Sequence, residues 1–242
     1  MHFDRLSLAL RPRPMYEAAD LGVRLAQAHA GSAWRCYAPL WGAVTLIALA
    51  TAPIASWLPW TLLFLAKPWL DRSLLFVFSR AVFGQATTWR DLWQAKRSVW
   101  LQDLLSTLTL RRLSGTRSYT QPVWQLEGLR GKARRARVAL MLKGQRGPAV
   151  WTQLVFAHLE GVLMLALYVL AEWMYPGSGS VMHWINDLPA GTGTLLSSAA
   201  YALVVLVLEP YYVAAGFAMY LNRRVELEAW DVEREMRSAF AA

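Results

Sequence analysis

A single cysteine, Cys36, stands in 242 residues, which excludes an internal disulfide and any cysteine-based zinc or redox motif. Its place at the start of an apolar run makes it a small apolar filler. Charge is also scarce: Asp, Glu, Lys and Arg make up 17% of the chain against 56% apolar residues, a balance foreign to a soluble domain. Acids are the scarcer sign, 16 against 25 bases, leaving a net charge of +9. Residues 1–35 lack the apolar core of a cleavable signal peptide and carry an acid, several arginines and two prolines instead. The Gly-rich pieces Gly177-Ser-Gly and Gly191-Thr-Gly193 lack the Walker pattern and its strand context. Ser73, Ser79, Ser197 and Ser198 have no general base at motif spacing. Neither acids nor histidines cluster as metal ligands do. No catalytic residue, cofactor or metal is therefore expected.

What the chain does have is a basic middle. Gly84 to Gly147 holds thirteen Arg or Lys against Asp91, Asp103 and Glu127, a local excess of +10. Strongly apolar sequence flanks it on both sides. Short loops rich in Lys and Arg stay on the cytoplasmic side of a bilayer, so this block explains the high pI without nucleic acid as a partner. The pattern predicts an all-α, polytopic helical membrane protein of four spans with interfacial cytoplasmic helices and both termini inside.

Taken in order, residues 1–35 form a cytoplasmic or interfacial segment. Met15, Ala18, Leu21, Gly22, Leu25, Ala26 and His29 recur at helical spacing and predict a surface helix over 15–31. Residues 36–83 hold the first two membrane segments. The first runs from about Ala33 to just before Pro53, long enough for about 30 Å of hydrocarbon. The second is interrupted by Lys67-Pro68-Trp69-Leu70-Asp71-Arg72. Either residues 57–82 cross once, or residues 38–66 form a re-entrant hairpin with Ser73–Phe83 lying along the interface. Residues 84–147 are the basic cytoplasmic helical loop. In it an apolar stripe from Trp89 to Leu108 predicts one helix, Arg111–Tyr119 reads as a break, and Pro122 to about Leu142 predicts another helix. Residues 148–221 hold the last two spans, around Val150–Tyr175 and Thr194–Leu221, joined by a loop without Lys or Arg. Residues 222–242 form an amphipathic cytoplasmic tail whose acids suit the basic block.

Ionisable residues inside apolar spans are functional candidates because an unpaired charge there costs several kcal/mol. Lys67, Asp71, Arg72 and Glu209 form the candidate intramembrane cluster. The spacing pairs Lys67 with Asp71 four residues on, and Arg72 or Arg80 is expected to meet Glu209, joining the second span to the fourth. His158 and Glu160 lie two apart and point differently around a helix, which makes them a poor proton relay. On the basic loop, Arg130, Lys132, Arg134, Arg135 and Arg137 are the candidate lipid- or partner-binding residues; a solvated topology signal is the plainer alternative.

The stretch from Glu209-Pro-Tyr-Tyr through Tyr220-Leu-Asn-Arg-Arg to Glu233 resembles a family of uncharacterised bacterial integral membrane proteins. Arg11-Pro-Arg-Pro, Glu17-Ala-Ala-Asp-Leu-Gly22, Lys67-Pro-Trp-Leu-Asp-Arg72 through Arg80, and Pro122-Val-Trp-Gln-Leu-Glu-Gly-Leu-Arg130 resemble it too. The resemblance implies genes beside a membrane protein with a transglutaminase-associated C-terminal domain and other envelope components. The tail is also distantly similar to the membrane domain of some glycerophosphodiester phosphodiesterases, whose catalytic domain has no counterpart here. These observations lead to two expectations. The first is a non-catalytic scaffold or accessory subunit of a bacterial inner-membrane envelope complex, in contact with membrane lipids and with another membrane protein or itself. The second is a small transport or anionic-lipid-handling membrane protein.

Overall fold

The computed structural model describes residues 13–101, 114–174 and 191–240, with side chains through Glu228. It is all-helical, with no strand among these residues. The helices are α1 (Met15–Ala28), α2 (Ala30–Ala50), α3 (Leu58–Ala81), α4 (Trp89–Gln94), α5 (Arg117–Gln125), α6 (Gly131–Leu142), α7 (Arg146–Met174) and α8 (Thr192–Phe240), with a π-helical turn at Arg97–Leu101.

The long C-terminal helix α8 is the axis on which the others pack: α1, α2, α3, α5 and α7 all contact it. Small residues make this possible. Ala214, Ala215, Gly216 and Ala218 are buried, and two glycines set the closest approaches. A Cβ on Gly22 of α1 would lie 2.3 Å from the Ala214 carbonyl oxygen, and one on Gly216 would lie 2.3 Å from Ser118 of α5. The predicted α1 stripe is thus a packing face: Met15, Ala18, Gly22, Leu25 and Ala26 are buried, and α1 packs on α8.

α3 runs unbroken from Leu58 to Ala81 through Lys67–Arg72, with Pro68 inside it, so residues 73–81 continue the helix that precedes Lys67. The basic block is more broken than its stripe predicts. α4 ends at Gln94, and residues 102–113 lie outside the described part. The helix expected from Pro122 to Leu142 is two helices, because the chain turns at Gly128 with φ 68°, a conformation a Cβ disfavours. α5 begins at Arg117, inside the expected break. The loop after Met174 also lies outside the described part, through residue 190.

Among the described residues two helices are long and apolar enough to cross a membrane: Arg146–Met174, whose most apolar 18-residue stretch has a mean hydropathy of 2.1, and the Thr192–Glu228 part of α8, where that value is 1.8. They differ in setting. The α8 segment is mostly buried within the fold, while α7 leaves almost its whole apolar surface exposed, including Trp151, Leu154, Val162, Leu165 and Trp173. The described acids of the tail pair within their own helix, Glu226 with Arg223 at 2.9 Å and Glu228 with Arg224 at 2.5 Å, and not with the basic block.

Candidate functional site: a buried ion network

Four helices converge on one cluster of charges. Lys67 of α3 lies against Glu160 of α7 and 2.9 Å from Oε2 of Glu209 on α8. Arg117 of α5 places one guanidinium nitrogen 2.9 Å from the other Glu209 oxygen and 3.0 Å from Asp71 of α3. Glu209 is therefore the centre, with a cation on each oxygen. Asp71 is fully enclosed and Glu209 is 1% exposed; the Glu160 side chain, at 20%, is the most open of the five. Buried carboxylates at these depths are tolerable only when paired, since desolvation costs several kcal/mol per ion.

Aromatic residues close the site. Tyr212 donates its hydroxyl hydrogen to Gln153, accepts from the Ser118 backbone N–H at 3.2 Å, and lies under the Arg117 guanidinium at 5.2 Å. The Lys67 ammonium lies 6.0 Å from the Tyr201 ring centre. Tyr37 of α2 is fully buried beside Asp71 and Glu209.

Lys67, Asp71 and Glu209 thus meet as a cluster, but with other partners than the sequence spacing implies. Lys67 pairs across helices with Glu160 and Glu209 rather than along α3 with Asp71, because Asp71 is taken by Arg117. Arg80 reaches Asp91 at 3.9 Å, not Glu209. Arg72, one residue on, belongs to a separate tryptophan-rich site. Its guanidinium lies 4.5 Å from the Trp124 ring centre and donates to the Trp100 carbonyl at 3.3 Å. That carbonyl, in the π-helical turn, also accepts from Trp69 at 3.1 Å, while the Trp100 indole donates to Ser73 at 2.8 Å.

Sequence reasoning missed two members. Arg117 sits in the basic loop, where its charge is indistinguishable from a topology signal. Glu160 is discounted by its angle to His158, although a different comparison was open: Asp71, Glu160, Glu172 and Glu209 outnumber Lys67, Arg72 and Arg80 within the apolar stretches.

On the basic loop, Arg130, Lys132 and Arg135 are exposed, and Arg134 and Arg137 are half-buried. Arg137 is engaged within the fold, donating to both Glu127 oxygens at 3.0–3.2 Å, and Tyr220 donates to the same carboxylate at 2.5 Å. Nearer the chain start, Thr88 and Asp91 form a capping box at the head of α4. The Thr88 backbone N–H and hydroxyl hold the Asp91 carboxyl below its ordinary range.

Between α2 and α3 an apolar groove of about 400 Å³ is lined by Val44, Ile47, Ala48, Leu62, Leu65, Ala66 and Trp69. It has no charged lining and does not include the network. Among the described residues no group of His, Cys, Asp and Glu is arranged to hold a metal ion. No family model, curated protein or solved structure matches the chain.

Proposed function

We propose that the chain is a non-catalytic scaffold or accessory subunit of a bacterial inner-membrane envelope complex, with α2, α3, α7 and α8 as four spans and both termini cytoplasmic. The observation that carries this reading is the enclosure of the network. Its charges are spent on one another and on closing four helices around α8, whereas a transport path needs water or substrate to reach them. In this arrangement α3 crosses despite Lys67 and Asp71 because both face protein partners. The exposed face of α7 meets lipid or a second membrane protein.

The resemblance to the envelope-associated family supports the same reading. Two of the segments that carry it, Lys67–Arg72 and Glu209–Tyr212, contribute Lys67, Asp71 and Glu209 to the network. Purification of the natively expressed, tagged protein in mild detergent, followed by mass spectrometry of proteins and lipids, tests it. A reproducible stoichiometric membrane partner is expected. Recovery without a protein partner but with one enriched anionic lipid moves lipid handling ahead. Exposed Arg130, Lys132 and Arg135 favour that second reading, because basic side chains at a cytoplasmic membrane surface attract anionic head groups.

A further inference from the structure

The network contains two carboxyls that face each other. Asp71 and Glu209 contact the same Arg117 nitrogen at 3.0 and 2.9 Å. The two are not equally served. Glu209 has Lys67 on one oxygen and a hydrogen bond from Arg117 on the other. Asp71 has only the shared Arg117 nitrogen, and neither of its oxygens has a hydrogen-bond partner when both carboxyls are ionised. It is also the most enclosed member, at 0% exposure. An ionised carboxylate with no hydrogen bond and only a shared cation in an enclosed site recovers little of its desolvation cost. A protonated one facing a carboxylate does not, since its O–H donates across the gap.

The same conclusion follows from the charges in contact. Lys67 and Arg117 supply two positive charges to Asp71, Glu160 and Glu209, which supply three negative ones. Arg72, next along α3, directs its guanidinium to Trp124 and the Trp100 carbonyl. Among the described residues the pair is also faced by the phenols of Tyr37 from α2 and Tyr212 from α8, which are neutral in their ordinary state. Like charges sharing one site cannot both ionise cheaply, so one of the two holds a proton.

We infer that the folded chain binds one proton at this site, carried on Asp71 and donated to the Glu209 carboxylate, which leaves the five-residue network electrically neutral. The proton is taken from solvent on folding; no other bond changes. This inference concerns the enclosed network itself and stands whether or not the protein assembles with a partner.

Infrared spectroscopy of the full-length wild-type protein in detergent at neutral pH reads this directly, with aspartate side-chain carboxyls labelled with ¹³C in one sample and glutamate in another. One protonated-carboxyl C=O band is expected, shifted by the aspartate label and unmoved by the glutamate label. Absence of such a band, or a shift with the glutamate label, overturns the assignment. Asp71→Asn supplies a second reading, because its amide donates to Glu209 as the protonated acid does. A folded state that holds a proton the unfolded chain has released becomes less stable as pH rises above the ordinary carboxyl range, about 4. Asp71→Asn is therefore expected to be at least as heat-resistant as wild type at pH 7, with a margin that grows toward higher pH. A variant that is less stable, with a deficit that grows with pH, means that ionised Asp71 is the native form and overturns the proposal.

Discussion

The Lys67 ammonium lies 2.9 Å from Glu209 Oε2, and the opposite oxygen of that carboxylate lies 2.9 Å from Arg117. One acid on α8 thereby joins α3 to α5, and through Lys67 also reaches α7. Glu209 is nearly completely enclosed, so removing its charge takes the shared counter-charge from two buried cations, leaving Lys67 only Glu160 and Arg117 only Asp71. Glu209→Gln is expected to cost about 3–5 kcal/mol, the range for breaking a buried ion pair from one side, and Glu209→Lys more. Thermal unfolding in detergent checks this; two variants with the wild-type midpoint would dismiss the pairing.

Gly22 and Gly216 let α1 and α5 touch α8 backbone to backbone. An added methyl would lie 2.3 Å from the Ala214 carbonyl oxygen in one case and 2.3 Å from Ser118 in the other. Gly216→Ala is expected to destabilise by about 1–3 kcal/mol, the ordinary range for overpacking. Gly22→Ala is expected to loosen α1 from α8, and proteolysis near Pro14 should accelerate relative to wild type. An unaltered cleavage rate would mean that α1 does not seat as described.

The Thr88–Asp91 capping box gives a pH effect with a defined sign. Hydrogen bonds from Thr88 hold the Asp91 carboxyl below its ordinary value. The stabilisation is present above the unfolded-state value of about 3.9 and is lost as pH falls through the lower folded value. Carboxyl ¹³C NMR is expected to show Asp91 titrating below the ordinary range and moving up in Thr88→Ala. Identical titrations in the two proteins would count against the box.

The surface of α6 separates the two functional readings. Neutralising Arg134 and Arg135 is expected to weaken binding to anionic liposomes, with a difference that shrinks at high salt as the charges are screened. Equal binding to neutral and anionic liposomes would leave the basic block as a topology signal alone.

Much of the helical layout was legible in the sequence, since apolar runs and 3.6-residue periodicity report local structure. The bounds of α2, α3 and α7 follow from runs ended by Pro53, Gly84 and the loop after Met174. Lys67, Asp71 and Glu209 were legible as a site for a related reason: charges in apolar helices require partners. The partners were not, because periodicity names the face of a helix and not what it meets. Arg117 looked like one more base in a basic loop, and Lys67–Asp71 spacing pointed to an intrahelical pair that Arg117 pre-empts. The turn at Gly128 was hidden by apolar residues that continue in helical register on both sides of it.

The central claim is that these charges act as one structural tie. A double-mutant cycle on Lys67→Met and Glu209→Gln, read by thermal unfolding in detergent, tests it most directly. The account predicts a marked loss for each single variant and a double variant less damaged than the sum, because each substitution removes the group that the other leaves short of a counter-charge. Strictly additive losses, or single variants as stable as wild type, would contradict it.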